Sequence, residues 1–161
     1  MTGSYMPFRA RPKKPDFKAP PNACDAHCHV FGPAKKFPFA PKRSYTPVDA
    51  PQDKLNDLHV RLGLSRAVIV QASCHGSDNR ALVDALKAGP ETRRGIACVG
   101  PRITDAELAE LDAAGVCGSR FSFVKHLGGD SRLATMRALA RRYADTCSPV
   151  LVSFHADSTL A

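Results

Sequence analysis

Residues 23–30 are Ala-Cys-Asp-Ala-His-Cys-His-Val, an alternation of small apolar and polar side chains. Because successive side chains of a β-strand point to opposite faces, this segment is predicted as a strand with two unlike faces. Asp25, His27 and His29 are expected on one face. The opposite face is expected to carry Cys24, Ala26, Cys28 and Val30.

Strand-like and helix-like segments alternate along the rest of the chain. The further predicted strands are 67–70, 95–99, 118–123 and 149–155. The predicted helices are 51–63, 79–88, 104–115 and 131–143. This alternation favours an α/β protein with a parallel sheet and right-handed crossovers.

The strand faces favour a barrel over a doubly wound sheet. Ile69, Gln71 and Ser73 are predicted on one face of the second strand, and Arg120 and Ser122 on one face of the fourth. Inward residues that turn polar toward the strand ends are typical of a barrel with its site at that end. We therefore predict the first five β/α units of a (β/α)8 TIM barrel, truncated because a whole barrel needs about 250 residues.

Two parts are predicted along the chain. Residues 1–22 form an extended basic, Pro-rich arm, and residues 23–161 form the N-terminal part of the barrel. The long segment between the first strand and the first helix, about 31–50, is expected to have a functional role because structureless loops of this length are uncommon.

Composition narrows the function classes. The 161 residues are 43% hydrophobic and 24% charged, with a formal net charge of +8. No apolar run is long enough for a membrane span, and no signal peptide opens the chain, so a cytoplasmic protein is expected. The six cysteines form no CxxC pair, which argues against a zinc ribbon. The basic arm lacks a nucleic-acid motif, so no nucleic-acid partner is predicted. A solvated arm together with a site for a small anionic substrate explains the charge as well.

His27 and His29 are candidates for chemistry. Two residues apart on one strand, their Cα atoms would lie about 6.5–7 Å apart, and both rings could approach one small target. That target is either a divalent metal ion, which would polarise a carbonyl and acidify water, or a carbonyl oxygen that accepts hydrogen bonds from the rings. The sequence pattern leaves both alternatives open.

Four segments resemble one family. Asp-Ala-His-Cys-His-Val-Phe-Gly at 25–32 resembles the DxHxHxFG opening of amidohydrolase-related proteins. Arg-Ser-Tyr-Thr-Pro at 43–47, Val-Ile-Val-Gln-Ala-Ser-Cys-His-Gly-Ser-Asp-Asn at 68–79 and Arg-Phe-Ser-Phe-Val at 120–124 are similar to the 2-pyrone-4,6-dicarboxylate lactonase family. The resemblance runs from about residue 20 to 155.

The resemblance implies a hydrolase of aromatic-compound breakdown that opens a carboxylated lactone by water attack on the ester carbonyl. It implies that His27 and His29 are catalytic, with substrate contacts at the four positions Tyr45, Ser73, Arg120 and His126. Two residues depart from the family pattern: Ser122 stands where Asn is expected and His126 where Arg is expected. These departures concern carboxylate recognition.

The resemblance also leaves alternatives. In the lactonase branch no metal is obligatory, whereas a metal-dependent amidohydrolase or decarboxylase would place a divalent ion, such as zinc, on His27 and His29. A third alternative is an inactive remnant, because the family's general base lies on a late strand beyond residue 161. We therefore expect the 161-residue chain alone to be inactive. The sequence makes no prediction of the oligomeric state.

Overall fold

The computed structural model describes residues 7–122, 133–146 and 151–155. Helices and strands alternate through this part of the chain. The strands are β1 (Cys24–Cys28), β2 (Arg66–Val70), β3 (Arg93–Ala97), β4 (Val116–Ser122) and β5 (Leu151–His155). The helices are α1 (Gln52–Leu62), α2 (Arg80–Lys87), α3 (Asp105–Ala113) and α4 (Leu133–Thr146), and a single 3₁₀ turn covers Ser73–His75.

The five strands form one parallel sheet in the order β1-β2-β3-β4-β5. Each strand pairs with the next strand along the chain, and one helix lies between every two strands in sequence. Sequential order with helical crossovers is the arrangement of a barrel rather than of a doubly wound sheet, in which the order reverses. The predicted α/β class with a parallel sheet is confirmed.

Local sequence explains where the helices begin and end. Helix α1 ends at Gly63, whose positive φ of 74° suits a residue without a Cβ atom. At the start of α3, the Thr104 side chain accepts from the Glu107 backbone, and the Glu107 carboxylate accepts from the Thr104 N–H, as the predicted capping box requires. Helix α1 begins at Gln52, one residue later than predicted, so Pro51 is its N-cap and not its first helical residue.

The main hydrophobic core lies between the sheet and helices α1 and α2. Ile69 of β2 and the α2 residues Leu82 and Leu86 are fully or almost fully buried in it. A Cβ atom on Gly95 of β3 would lie 2.7 Å from the Leu86 side chain, so glycine allows α2 to approach the sheet closely. The residues that α2 covers on the sheet are therefore apolar.

The structure corrects the predicted face of Asp25. Asp25 pairs with Ala67 and Cys28 pairs with Ile69, so β1 advances three residues while β2 advances two. This one-residue β-bulge reverses the alternation between Asp25 and Cys28. Asp25 therefore lies on the helix side with Cys28, and the prediction that it shares a face with the two histidines is wrong.

The predicted face of Ile69 is also wrong. We expected Ile69, Gln71 and Ser73 on a common inward face, but Ile69 packs in the core between sheet and helices. Strand β2 ends at Val70, so strict alternation does not continue into the two polar residues. Gln71 instead donates from its side-chain amide to the carbonyl oxygens of Gly76 and Asp78 and stabilises the turn after β2.

Residues 7–22 contain no helix or strand and are largely exposed, including the Phe17 side chain at 72%. Within the described segments, every helix is too short or too polar to cross a membrane.

We predict that Leu82→Ala lowers the free energy of unfolding by about 2–5 kcal/mol, because it removes a fully buried side chain and leaves a cavity. Val60→Ala is the control, since Val60 is 82% exposed on α1 and should change stability by less than about 0.5 kcal/mol. Urea unfolding of both variants checks this. Equal urea midpoints for the two variants would contradict the placement of Leu82 in the core.

Candidate active site

The two histidines of β1 lie against each other. The ring centroids of His27 and His29 are 5.1 Å apart, and the ring planes are almost perpendicular. His27 is exposed and His29 is half-buried. They lie at the carboxyl end of β1, where barrel enzymes build their sites. The structure thus brings the two predicted catalytic residues together.

His29 has a defined proton position. Its Nδ1 atom lies 2.7 Å from the Val70 carbonyl oxygen, and because a carbonyl can only accept, Nδ1 carries the hydrogen. In the neutral ring, Nε2 then has a lone pair. Burial lowers the pKa of His29, and the charges of His27 and Arg120 lower it further, against the opposing effect of the Val70 hydrogen bond.

Arg120 lies near the carboxyl end of β4. Its Nη1 donates to the Gln71 carbonyl oxygen at 3.2 Å, across β3, and its charge acts on both His29 and Cys98. Phe121, the next residue, is buried. This agrees with the prediction that Arg120 and Phe121 lie on opposite faces of the fourth strand, one polar and one apolar.

The loop of residues 31–50 is closed at its base. Phe31 and Ala50 exchange two backbone hydrogen bonds of 2.9 and 2.8 Å, and the Asp49 carboxylate accepts from the Ala34 N–H at 2.9 Å. Gly32 has a φ of 68°, and a Cβ atom there would lie 2.4 Å from Asp49 Oδ1. Glycine at position 32 therefore lets the start of the loop pass close to Asp49.

The loop places Tyr45 at the end of β2. The Tyr45 hydroxyl lies 3.5 Å from Ser73 Oγ, and burial raises the pKa of the phenol. These two predicted substrate-binding residues are thus neighbours. Arg43, in contrast, donates within the loop, to Thr46 Oγ1 at 2.7 Å and to the Ala40 carbonyl at 3.0 Å. These two hydrogen bonds connect Arg43 to other residues of the loop.

For two positions that the sequence analysis singled out, His126 and Ser122, the structure describes no side chain. His126 lies outside the described residues. The backbone of Ser122 pairs with that of His155 at the end of β4, and the structure describes no side chain for either.

Reasoning from the sequence missed a second polar group, which lies on the helix side of β1. His59 of α1 is 7% exposed, and its Nε2 lies 3.0 Å from Asp25 Oδ2. The other carboxylate oxygen of Asp25 accepts from the backbone N–H of His27 at 3.2 Å. Asp25 therefore connects α1 to the bulge of β1, which includes His27. The signal available in the sequence was His59, a polar residue on the same buried face of α1 as Leu55.

Asp25, Cys28 and His59 also present ligand atoms within 4.8 Å of one another. By type, these donors suit zinc. Their present contacts do not favour an ion: Asp25 bonds His59, and the Cys28 thiol contacts the Val68 carbonyl oxygen at 3.5 Å. Burial raises the pKa of Cys28 to about 12.

Arg93 lies beside this group and carries a buried positive charge. It donates to the Ala85 carbonyl at 2.6 Å and to Asn56 of α1, and its charge acts on Cys28. A guanidinium at this position repels a cation. We therefore assign the helix-side group to structure, as a polar connection between α1, α2 and the sheet.

These features define a class of protein: an α/β protein with a sequential parallel sheet, a histidine pair at the end of its first strand and an arginine near the end of its fourth. The amidohydrolase family model matches residues 24–158. The chain belongs to the amidohydrolase family.

Curated relatives and solved structures agree with this family. The chain is 48% identical over 155 residues to a 2-pyrone-4,6-dicarboxylate hydrolase of Comamonas testosteroni, covering 96% of this chain and 51% of that protein. It is 38% identical over 107 residues to a 4-sulfomuconolactone hydrolase of Hydrogenophaga intermedia, covering 66% of this chain and 35% of that protein. The chain thus spans about half the length of the first relative and a third of the second.

Among solved structures, the chain is similar to a probable 2-pyrone-4,6-dicarboxylic acid hydrolase of Acinetobacter baumannii, determined with citric acid bound. The TM-score is 0.72 at 26% identity, over 84% of this chain and 49% of that one. The relatives are hydrolases of carboxylated or sulfonated lactones by name. Family and fold therefore agree with the resemblance in the sequence.

We predict that Asp25→Ala lowers the free energy of unfolding by about 1–3 kcal/mol, because it leaves buried His59 and the His27 N–H without their acceptor. Asp57→Ala is the matched control, since Asp57 lies on α1 with a side chain 76% exposed and should cost less than about 0.5 kcal/mol. Urea unfolding gives the stabilities, and ¹H–¹⁵N spectra follow the His27 amide. A similar effect of the two substitutions would contradict the connecting role of Asp25.

Proposed function

We propose that the whole protein hydrolyses a carboxylated lactone of the 2-pyrone-4,6-dicarboxylate kind by water attack on the ester carbonyl. The observation that carries the proposal is that the side chains of His27, His29 and Arg120 lie close together at the carboxyl end of the sheet. His27 packs on His29, and His29 and Arg120 bond to the neighbouring carbonyls of Val70 and Gln71. A carbonyl-facing imidazole pair beside a guanidinium suits a substrate that combines an ester with an anion. The names of the curated relatives support the same substrate class.

The two histidines would face the scissile carbonyl. His27 is exposed and can turn an N–H toward the carbonyl oxygen. His29, with its hydrogen on Nδ1, would present Nε2 to the substrate side. A proton taken up from solvent at Nε2 would make this nitrogen a donor to the developing oxyanion. Donors fixed around a developing oxyanion typically contribute about 10²–10³-fold in rate.

Arg120 would bind a substrate carboxylate. A guanidinium has five N–H donors in a planar fork, of which the Gln71 carbonyl uses one. The fork matches a carboxylate with two parallel hydrogen bonds. Tyr45 and Ser73, adjacent at the end of β2, would supply hydroxyl groups to the same ligand. We extend this substrate-binding role to His126.

We further propose that β1–β5 are the first five strands of an eight-stranded barrel. The sequential parallel order of the strands supports this, as does the twofold greater length of the 2-pyrone-4,6-dicarboxylate hydrolase relative. The general base for the attacking water would then come from a later strand of the whole protein. General-base assistance typically contributes about 10²–10⁴-fold.

A divalent metal is the alternative means of polarising the carbonyl, and His27 and His29 are the residues that would hold it. The ligand set fits in one respect: His29 donates its Nδ1–H to a backbone carbonyl, as metal-binding histidines commonly do, and so directs Nε2 outward. When bound, such an ion supplies Lewis-acid polarisation of the carbonyl and acidifies water. Because the lactonase branch needs no metal, we propose hydrolysis without an obligatory metal.

We predict that Arg120→Ala in the whole protein lowers kcat/KM for 2-pyrone-4,6-dicarboxylate about 10- to 150-fold, because the variant loses hydrogen bonds to a charged group. The rate with an uncharged lactone should change little. Arg61→Ala, an exposed arginine on α1, is the matched control and should leave both rates unchanged. Steady-state kinetics with the two substrates checks this. An Arg120→Ala variant with undiminished preference for the dicarboxylate would refute the anion-binding role.

A further inference from the structure

His75 is a buried histidine to which the proposed chemistry gives no role. It is the last residue of the 3₁₀ turn after β2, and only 2% of its surface is exposed. Its Nε2 lies 3.1 Å from the backbone nitrogen of Gly32, the residue at which the long loop leaves β1. Its ring packs on Phe39 with centroids 4.9 Å apart. The ring therefore contacts the loop at two separate points.

The same turn contacts the loop through its neighbouring residues. The Ala40 N–H donates to the Cys74 carbonyl oxygen at 2.8 Å, and a few residues further along, the Tyr45 hydroxyl lies 3.5 Å from Ser73 Oγ. All three residues of the 3₁₀ turn thus contact the loop. Ala40 and Tyr45, five residues apart in the loop, are thus both held against this turn.

The contact with Gly32 requires one protonation state of His75. The Gly32 N–H can only donate, so Nε2 must hold a lone pair and the ring hydrogen must lie on Nδ1. A doubly protonated ring would direct Nε2–H at the Gly32 N–H, and two donors repel each other. The loop contact and protonation of the ring are therefore mutually exclusive.

The surroundings of His75 favour the neutral ring. Burial lowers its pKa below the ordinary value of 6.5, while the Pro38 carbonyl and the carboxylates of Asp78 and Asp49 act in the opposite direction. Among the described residues, Nδ1 has no partner at hydrogen-bonding geometry. The unfolded chain binds a proton at a higher pH than the folded chain does. The stability that this site contributes is therefore complete above pH 6.5 and is lost as the pH falls below it.

We propose that neutral His75 is a positioning residue that holds the first half of the loop against the turn after β2 and thereby keeps Tyr45 at Ser73. Acidification then releases the loop from the mouth of the site while the sheet stays folded. The consequence for substrate binding rests on the proposed function of Tyr45. The structural part of the proposal, the fastening of the loop by the neutral ring, does not.

The wild-type chain permits a direct test. Long-range ¹H–¹⁵N spectra report which ring nitrogen of His75 carries the hydrogen. We expect the Nδ1–H form at pH 7.5, and below pH 6.5 we expect the amide signals of Gly32 and Ala40 to shift together with the ring signals of Tyr45. A ring that carries its hydrogen on Nε2 at pH 7.5 would overturn the proposal. So would loop signals that do not change when His75 becomes protonated.

Two variants separate the hydrogen bond from mere packing. His75→Phe keeps an aromatic ring against Phe39 but removes the acceptor, whereas His75→Gln keeps an oxygen acceptor that does not titrate. We expect His75→Phe to accelerate amide exchange at Gly32 and Ala40 about tenfold, the equivalent of one lost hydrogen bond. We expect His75→Gln to retain protection at both amides and to lose the pH dependence of the Tyr45 signals.

Sheet amides in the same samples are the internal control. The Gln71 N–H, bonded to the Ile96 carbonyl at 2.8 Å, and the Gly95 N–H, bonded to the Gly115 carbonyl at 2.9 Å, should stay protected in both variants. Unchanged exchange at Gly32 and Ala40 in His75→Phe would overturn the proposal. If His75→Phe does not fold, the wild-type spectra and His75→Gln decide it. No lactone is used, so the outcome is independent of the proposed hydrolysis.

Discussion

The arrangement of the site depends on the β-bulge between Asp25 and Cys28 in β1. Without the extra residue, strict alternation would put Asp25 on the side of His27 and His29 and would leave His59 of α1 without its carboxylate. With it, the acid lies under the helix and the two histidines remain on the other side of the sheet. The bulge thus separates the Asp25 carboxylate from the two histidines for which we propose a catalytic role.

Asp25 maintains this separation through both oxygens. One accepts from the His27 backbone inside the bulge and the other contacts His59, so the geometry of β1 is coupled to the position of α1. Arg93 extends the same polar layer to α2 through the Ala85 carbonyl. On the opposite side, the groups at the strand ends are held by backbone carbonyls: Val70 orients His29 and Gln71 orients Arg120. His29 and Arg120 are therefore each held by a contact with β2 or the residue after it.

Much of the fold could be predicted from the sequence because the signals are local. The capping box at Thr104, the glycine end of α1 and the alternation of strands with helices each depend on a few neighbouring residues. The site was predictable in part for the same reason: His27 and His29 are two positions apart, and the family resemblance supplied Tyr45, Ser73 and Arg120. In the structure, Tyr45 lies beside Ser73 and His27 lies beside His29.

The errors arose where pairing between strands decides the outcome. A bulge depends on the register of β1 against β2, which periodicity within β1 alone does not reveal, so the face of Asp25 was predicted wrongly. The end of β2 at Val70 is likewise a property of the sheet, and the alternation expected through Gln71 and Ser73 stops there. His59 and His75 went unassigned because their partners, Asp25 and Gly32, are 34 and 43 residues away.

The central claim is that His27, His29 and Arg120 form one site for an anionic ester. The most direct measurement is a crystal structure of the whole protein soaked with 2-pyrone-4,6-dicarboxylate. We predict a ligand carboxylate at about 2.7–2.9 Å from the Arg120 guanidinium, with the lactone carbonyl, or the carboxylate formed from it, facing both imidazoles. A ligand bound away from these three side chains would contradict the account, as would histidines turned to the helix side of the sheet.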